Sequence, residues 1–530
     1  MKLGYKLIVL FFYFIILLKC ASSFAQSLQV NWVQQTLSAR SNQIILDKSG
    51  NVYGVGIDFN FDSDGDILII KCDSTGNVIW QNKFAGSGGL NDNSFSVCLD
   101  DSENLYVAGL IDKNISFSTG IIIKYDSAGN FKWSQTTPGS EETGKVLSDG
   151  RNIFGLEYIR DTINSVIHTG ISEYDNAGNL LFLNTDTNHF ETIGYDLAMD
   201  SSNNLYVTGL SIDPSTVQKV FLTKYDTFGN IQWKKIFNDS IYSFCDAKLL
   251  TLDDSANIYV TGYTSHSGTT TGFDCIVIKY DSSGLLKWFR VYTFSGNHAE
   301  IPLAIDCDGK LISITGRLEL ITGPDPANIF FLSYDSDGNL LFSDSLNGPS
   351  NSADFGNDVI LDSLGNSYIT GLMSDSNHTG QVILMYDSIG QRSILNIRPA
   401  NSLGFKILLD NEYNLYTCGT YADTNQINFY GTIVKYRANL ITNAKEIYSS
   451  TPEIFVFPCP FINTIIISFN GFKYSNVLIN IYNLEGKLVK YTYEIGENHI
   501  EINTENISPG VYFIEMQSKN SILKKILVKF

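Results

Sequence analysis

One short run in the chain has the spacing of metal ligands: Asp62-Ser63-Asp64-Gly65-Asp66. Alternate carboxylates around a glycine bring hard oxygen atoms towards one point, as the start of a calcium loop does. Asp62, Asp64 and Asp66 are therefore the candidate calcium ligands. The bidentate Glu that would close such a loop is missing, because the run continues into Ile67-Leu68-Ile69-Ile70, a strand pattern. Apart from that one ion, no cofactor is expected.

Catalytic signatures are absent from the sequence. There is no His-Glu-x-x-His, no Gly-x-Ser-x-Gly and no phosphate-cradling Gly-Lys-Ser/Thr loop. The six histidines, His168, His189, His266, His298, His378 and His499, stand far apart in unrelated contexts. No catalytic residue is assigned. The chain carries 55 acidic residues, and a glycoside hydrolase needs only two of them, so cleavage of a polysaccharide stays open as an alternative.

Composition narrows the class of ligand. The net charge is −19 over 530 residues, so binding through neutralised phosphates is not expected, either of nucleic acid or of an anionic membrane. Aromatic residues make up 13% and charged residues only 17%, with 43 glycines, a mixture that suits β-structure with many tight turns. The cysteines are irregularly spaced. Cys72, Cys98, Cys245, Cys275, Cys307, Cys418 and Cys459 read as small buried hydrophobes, not as a disulfide framework.

The N-terminus has a targeting pattern. Lys2 and Lys6 precede an apolar stretch from Leu7 to Leu18, and Ser23-Phe24-Ala25 supplies small residues for cleavage. Residues 1–25 are expected to be a signal peptide. Lys19 before Cys20 argues against a lipoprotein, and no other apolar run is long enough to span a membrane in the mature chain.

Two motifs then alternate. The first, Asp-x-x-x-Asn-hydrophobic-Tyr-x-x-Gly, begins at Asp47, Asp100, Asp200, Asp253, Asp362 and Asp410, with weaker copies from Ser148 and Asp306. The second, typified by Lys124-Tyr125-Asp126-Ser127-Ala128-Gly129-Asn130 and Trp133, recurs at Asp73, Asp175, Asp226, Asp281, Asp335 and Asp387. An eighth copy stops at Lys435-Tyr436-Arg437. Successive copies lie 48 to 56 residues apart, the period of a propeller blade. Each motif is a tight hairpin, so each repeat supplies four antiparallel strands.

Trp80, Trp133, Trp233 and Trp288 hold one fixed strand position, which Phe182, Phe342 and Ile394 fill in other repeats. A large side chain at the same place in every unit reads as packing between blades. Trp32 sits in a fourth-strand pattern with no earlier strands, and the eighth repeat lacks its fourth strand. The N-terminal strand is expected to complete the last blade and remove both open edges.

The paired motifs resemble the bacterial beta-propeller repeat (SBBP) family. Asp200-Ser201-Ser202-Asn203-Asn204-Leu205-Tyr206-Val207-Thr208-Gly209 is a close match, and the resemblance runs from residue 28 to about 437. It implies the fold and an extracytoplasmic setting, but no activity. The expected architecture is all-β: an eight-bladed β-propeller over residues 26–438, closed by the N-terminal strand, then a linker (439–453) and a small β-sandwich (454–530).

The last segment resembles the type A C-terminal sorting domain of the type IX secretion system. Phe457-Pro458-Cys459-Pro460-Phe461 stands where that family has Pro-Asn-Pro-Phe, with Cys459 in place of the Asn. Ile481-Tyr482-Asn483-Leu484-Glu485-Gly486-Lys487 matches its central hairpin. Ser508-Pro509-Gly510-Val511-Tyr512-Phe513 and Lys524-Lys525-Ile526-Leu527-Val528-Lys529 match its last strands. The resemblance implies recognition by the outer-membrane secretion machinery, and a secreted or cell-surface destination.

Within each repeat the short Asp/Gly turns share one face, and the connections that vary share the other. Variable loops on a rigid scaffold are the usual place for binding. Asp58-Phe59-Asn60-Phe61-Asp62, Asn91-Asp92-Asn93-Ser94, Tyr242-Ser243-Phe244, Tyr263-Thr264-Ser265-His266 and Asn428-Phe429-Tyr430 set aromatics beside acids and amides, which suits a glycan or protein ligand. The expected function is binding through that face. The alternative is a polysaccharide-cleaving enzyme that uses carboxylates around a central channel.

Overall fold

The structure is a computed structural model. It describes residues 28–437 and 453–529 except 38, 60–64, 87–91, 115–116, 164, 188–190, 214–216, 238, 240, 267–271, 295–297, 321–326, 349–351, 375–378, 398–401, 423–428, 458–463, 471–476, 484–486, 495–498, 505, 509 and 518–521. The expected signal peptide lies outside the described residues, as does the linker except for Glu453. The chain divides into two compact units at residues 439/440.

The repeat motif is a set of local hydrogen bonds. Asp200 Oδ1 accepts the backbone N–H groups of Ser202 and Asn204, both at 2.9 Å. Its Oδ2 accepts from Asn204 Nδ2 at 2.8 Å and from the Tyr206 hydroxyl at 2.9 Å. One aspartate therefore closes the turn and pins the next strand, which is why Asp, Asn and Tyr recur at fixed spacing. In the second motif Asp126 Oδ1 caps Ala128 and Asn130, and Gly129 turns the chain at φ 85°. A backbone at that angle favours glycine.

Two repeats differ from the expected starting points. In the third, Asp149 and not Ser148 caps the turn, through Arg151 N at 2.8 Å and Asn152 N at 2.7 Å. In the sixth, Asp308 and not Asp306 does so, through Lys310 N at 2.8 Å and Leu311 N at 2.7 Å. Both turns are one residue shorter than the others, which shifts the capping acid along the sequence. Asp306 instead accepts a bond from the next sheet, Leu361 N at 2.8 Å.

Among the described residues, these hairpins give the first unit eight four-stranded antiparallel sheets, numbered here 1 to 8 along the chain. Their first strands are Ala39–Leu46, Asn93–Leu99, Ser140–Ser148 and Glu191–Met199, then Tyr242–Leu252, His298–Cys307, Phe355–Leu361 and Ser402–Leu409. Each first strand packs against the first strand of the next sheet, and that of sheet 8 packs against that of sheet 1. This arrangement is all-β and propeller-like. The fourth strand of sheet 8 comes from the other end of the unit: Gln29–Leu37 pairs antiparallel with Phe429–Arg437.

The seams between sheets repeat one contact. Lys71 Nζ and Trp80 Nε1 both donate to the Ser127 carbonyl of the next sheet, at 3.3 and 3.2 Å. Lys279 and Trp288 donate to the Ser336 carbonyl at 2.8 and 3.1 Å. Lys435 and Trp32 donate in the same way to the Ser74 carbonyl of sheet 1, at 3.4 and 3.1 Å. A strand from the start of the chain thus makes the same seam as strands inside it. The fixed tryptophans serve packing, and each rests on the glycine of the next turn: a Cβ on Gly129 would come within 2.6 Å of Trp80 Cδ2.

The six described cysteines carry free thiols, five of them buried. Burial pushes the Cys72 and Cys418 thiols up to about 12, so they stay protonated and unreactive.

Among the described residues, the second unit holds two sheets. One orders Glu453–Phe457, Thr464–Asn470 and His499–Asn503. The other orders Leu488–Glu494, Val477–Asn483, Gly510–Gln517 and Ile522–Lys529. Asn483 Oδ1 accepts Lys487 N at 2.9 Å, which explains the Asn of the central hairpin motif.

Candidate functional site: the ring of first-strand bulges

In each of sheets 1 to 8 the ladder between first and second strands slips by one residue at an equivalent place. The residue left unpaired is Asn42, Phe95, Gly144 and Tyr195 in sheets 1 to 4. In sheets 5 to 8 it is Lys248, Leu303, Asn357 and Phe405. A bulge bends its strand and re-aims one side chain away from the regular alternation. All eight of these residues are half-buried.

The residue just before each bulge is small or compact and buried, for example Ser94, Gly194, Ala247 and Gly356. It faces the neighbouring sheet: a Cβ on Gly194 would come within 2.7 Å of Thr169 Cγ2, and one on Gly356 within 2.1 Å of Thr315 Oγ1. The chain therefore keeps a tight seam at one position and releases the next residue from it. Because the first strands pack in sequence around the unit, the eight released residues stand at equivalent positions around it. Lys248 Nζ lies 3.6 Å from the centre of the Tyr195 ring, and the Arg40 guanidinium 4.4 Å from that of Phe405.

The sector formed by sheets 3 to 5 is the richest in chemistry. Asp246 Oδ2 holds Lys248 Nζ at 2.8 Å. Lys145 pairs with Asp196 of the next sheet, and Asp196 Oδ2 accepts Leu250 N at 2.9 Å from the sheet beyond. Opposite Asp246 in the ladder stands Tyr263. Its ring forms a cluster with Phe244 and Phe273, with centroids 5.8, 5.6 and 5.1 Å apart, and Phe273 is 37% exposed. At Gly144 the ring has no side chain. A Cβ there would lie 3.5 Å from the Tyr158 hydroxyl and 3.7 Å from Glu142 Oε1. Burial raises the Glu142 carboxyl to about 7 and pushes the Tyr158 and Tyr195 phenols up as well.

Above this ring, buried acids hold the connections between sheets. Asp92 and Asp354 each accept two backbone N–H groups, from Gly86 and Asp112 and from Gly348 and Ser374. Glu300 accepts Phe294 N at 2.9 Å. Burial raises Glu300 to about 7 and Asp306 to about 6. An acid whose pKa is raised in the fold is most compatible with folding when protonated, and the cost of ionising it in place grows as the pH rises through 6 to 7. With Glu142, these groups should make the thermal midpoint a few degrees higher at pH 5.5 than at pH 8. Differential scanning fluorimetry across that range checks this, and a midpoint that falls on acidification to 5.5 would contradict it.

The sequence-derived candidates are placed as follows. Asp62 and Asp64 lie outside the described residues. Asp66 is the second residue of the third strand of sheet 1, Gly65–Cys72, opposite Asp58. Among the described residues, no group of three or more His, Cys, Asp or Glu is placed to hold a metal ion. His168, His266 and His298 lie on three different sheets and His499 in the second unit, while His189 and His378 fall outside the described residues. Tyr242-Ser243-Phe244 and Tyr263 to His266, expected in loops, are strand ends, and the structure brings Phe244 and Tyr263 together. Asn60, Phe61, Asn91 and Asn428 lie outside the described residues. The ring of bulges had no signal in the repeat motifs, because its members share a backbone position and not a residue type.

Residues 455–529 match the secretion system C-terminal sorting domain family. The chain is therefore a secreted or cell-surface protein whose C-terminal domain interacts with the secretion machinery. No helix among the described residues is long and apolar enough to cross a membrane. No curated protein matches the chain significantly. Among solved structures it is similar to polysaccharide lyase Uly1, at 10% identity and TM-score 0.45 over 75% of this chain and 90% of that one. It is also similar to an ulvan lyase, at 12% identity and TM-score 0.41 over 69% and 98%. The β-propeller domain of the Trilobed protease from Pyrococcus furiosus is similar at 10% identity and TM-score 0.38 over 68% and 97%.

Proposed function

We propose that the exported chain is a closed eight-bladed propeller of SBBP repeats, followed by a β-sandwich sorting domain, and that the propeller binds a glycan or protein through its inner wall and variable-loop face. The ring of bulges carries this reading. Eight equivalent backbone positions are released from the seams, and they carry six residue types: Asn, Phe, Gly, Tyr, Lys and Leu. Turn and seam positions, by contrast, keep their residue types because packing demands them. A rigid wall with variable chemistry beside a partly exposed aromatic cluster is the arrangement of a recognition surface.

The test is an array of glycans and cell-surface proteins probed with the mature chain, residues 26–530. Retention of one ligand class, weakened by Phe273→Ala, is expected. Binding to no class on the array, or binding indifferent to Phe273 and to every bulged residue, would refute the reading.

Cleavage of a polysaccharide is the second reading. The observation in its favour is Glu142, a carboxyl raised to about 7 and therefore able to give up a proton near neutral pH. Release of new chain ends from a retained polysaccharide, lost in Glu142→Gln, would favour the enzyme.

A further inference from the structure

Gly144 is the one glycine among the eight bulged residues, and it opens a notch in the ring. Sheets 2 and 4 place Phe95 and Tyr195 on either side of it. Tyr158 and Glu142 form its floor, since the Tyr158 hydroxyl and Glu142 Oε1 are the polar atoms nearest to where a Cβ would stand, at 3.5 and 3.7 Å. Gly144, Tyr158 and Glu142 are each half-buried, so all three keep partial contact with solvent.

We infer that this notch is a subsite for one hydroxyl-bearing unit of a neutral glycan, with Tyr158 and Glu142 bonding the hydroxyl and Phe95 and Tyr195 flanking the sugar ring. The inference rests on the reading of the inner wall as a binding surface and names the ligand class. A phenol and a carboxyl together can both donate and accept, which matches a hydroxyl group. Aromatic side chains beside them suit the apolar faces of a sugar. The cations nearby are already engaged: Arg160 forms a two-point pair with Glu141, Lys145 pairs with Asp196, and Lys248, which covers one face of the Tyr195 ring, pairs with Asp246. Among the described residues, an anionic sugar would therefore meet no uncommitted cation at the notch, on a chain of net charge −19.

The experiment titrates the mature chain with neutral oligosaccharides (cello- and malto-series) and with oligogalacturonate and sulfated oligosaccharides. It repeats the titration on three variants. Gly144→Leu fills the notch. Gly144→Ala adds a methyl group in ordinary contact with its neighbours, and Tyr158→Phe keeps the ring shape while removing the hydroxyl. Circular dichroism confirms that each variant is folded.

Binding of a neutral oligosaccharide is expected, weakened at least tenfold in Gly144→Leu and about fivefold in Tyr158→Phe, the loss of one hydrogen bond. Gly144→Ala, which fills less of the notch, is expected to fall between the wild type and Gly144→Leu. A preference for the anionic sugars, or equal binding by wild type, Gly144→Leu and Tyr158→Phe, overturns the subsite while the binding surface stands. Retention of a protein ligand and no glycan overturns the neutral-glycan inference alone. A wild-type chain that binds no glycan and no protein overturns both readings.

Discussion

Removal of residues 28–37 is expected to abolish the folded monomer of the first unit. Those residues include the fourth strand of sheet 8, Gln29–Leu37, which pairs antiparallel with Phe429–Arg437 with one slip at Asn31. Without them the strand Phe429–Arg437 exposes its backbone edge, which invites pairing with other chains. The seam to sheet 1 loses Trp32, whose ring covers the turn at Gly76 and whose Nε1 bonds Ser74 O. Lys435, buried over Tyr416 and bonded to the same carbonyl, would then face water on one side. Because every sheet leans on its two neighbours, one opened seam weakens the whole ring. Size-exclusion chromatography and thermal melting of the deletion variant should show aggregate or a broad, low transition. A synthetic peptide of residues 28–37 added during refolding should restore part of the monomer. A monomeric deletion product with a sharp, wild-type-like melt would contradict closure by this strand.

Substitution of Glu157 by Ala is expected to destabilise the unit by about 3–5 kcal/mol, the usual cost of breaking a buried polar group's network. Glu157 is fully buried on the second strand of sheet 3. Four hydroxyls donate to its carboxyl: Thr137 at 2.7 Å, Ser140 at 2.7 Å, Thr143 at 2.8 Å and Ser172 at 2.6 Å. Burial raises its pKa, and those four bonds hold the rise in check. Alanine would leave the Thr143 and Ser172 hydroxyls without their acceptor, while Ser140 keeps the Glu142 carbonyl and Thr137 the Tyr174 hydroxyl, and it would open a cavity between sheets 2 and 3. Glu157→Gln keeps the shape and can still accept, so its loss should be about 1 kcal/mol. Urea unfolding of the two variants separates the terms. An alanine variant as stable as the glutamine variant would show that the hydroxyl cage carries no stability.

The legible and illegible parts of this chain differ in how local their causes are. Asp200, Asn204 and Tyr206 bond within seven residues, so the turn, its spacing and the strand after it are written in a short stretch. Trp32 was readable for the same reason: a fourth-strand pattern without its partners demands a partner elsewhere. The third and sixth turns are harder to read, because each is one residue shorter than the repeat and its capping acid, Asp149 or Asp308, stands out of the common spacing. The bulges are different in kind. Whether Gly144 or Tyr195 is unpaired depends on the register between two strands, and nothing in either strand alone records it. Tyr158, Glu142 and Asp246 gain their altered chemistry from burial against neighbouring sheets, so they stood unmarked among 55 acids and 29 tyrosines.

A crystal structure of the mature chain grown with a neutral oligosaccharide that it retains would test the recognition surface most directly. The expected result is a sugar ring on the inner wall between Phe95 and Tyr195, with a hydroxyl within hydrogen-bond distance of Tyr158 and Glu142. A sugar bound instead on the face of the short Asp/Gly turns, with the inner wall empty, would contradict the assignment of the binding surface.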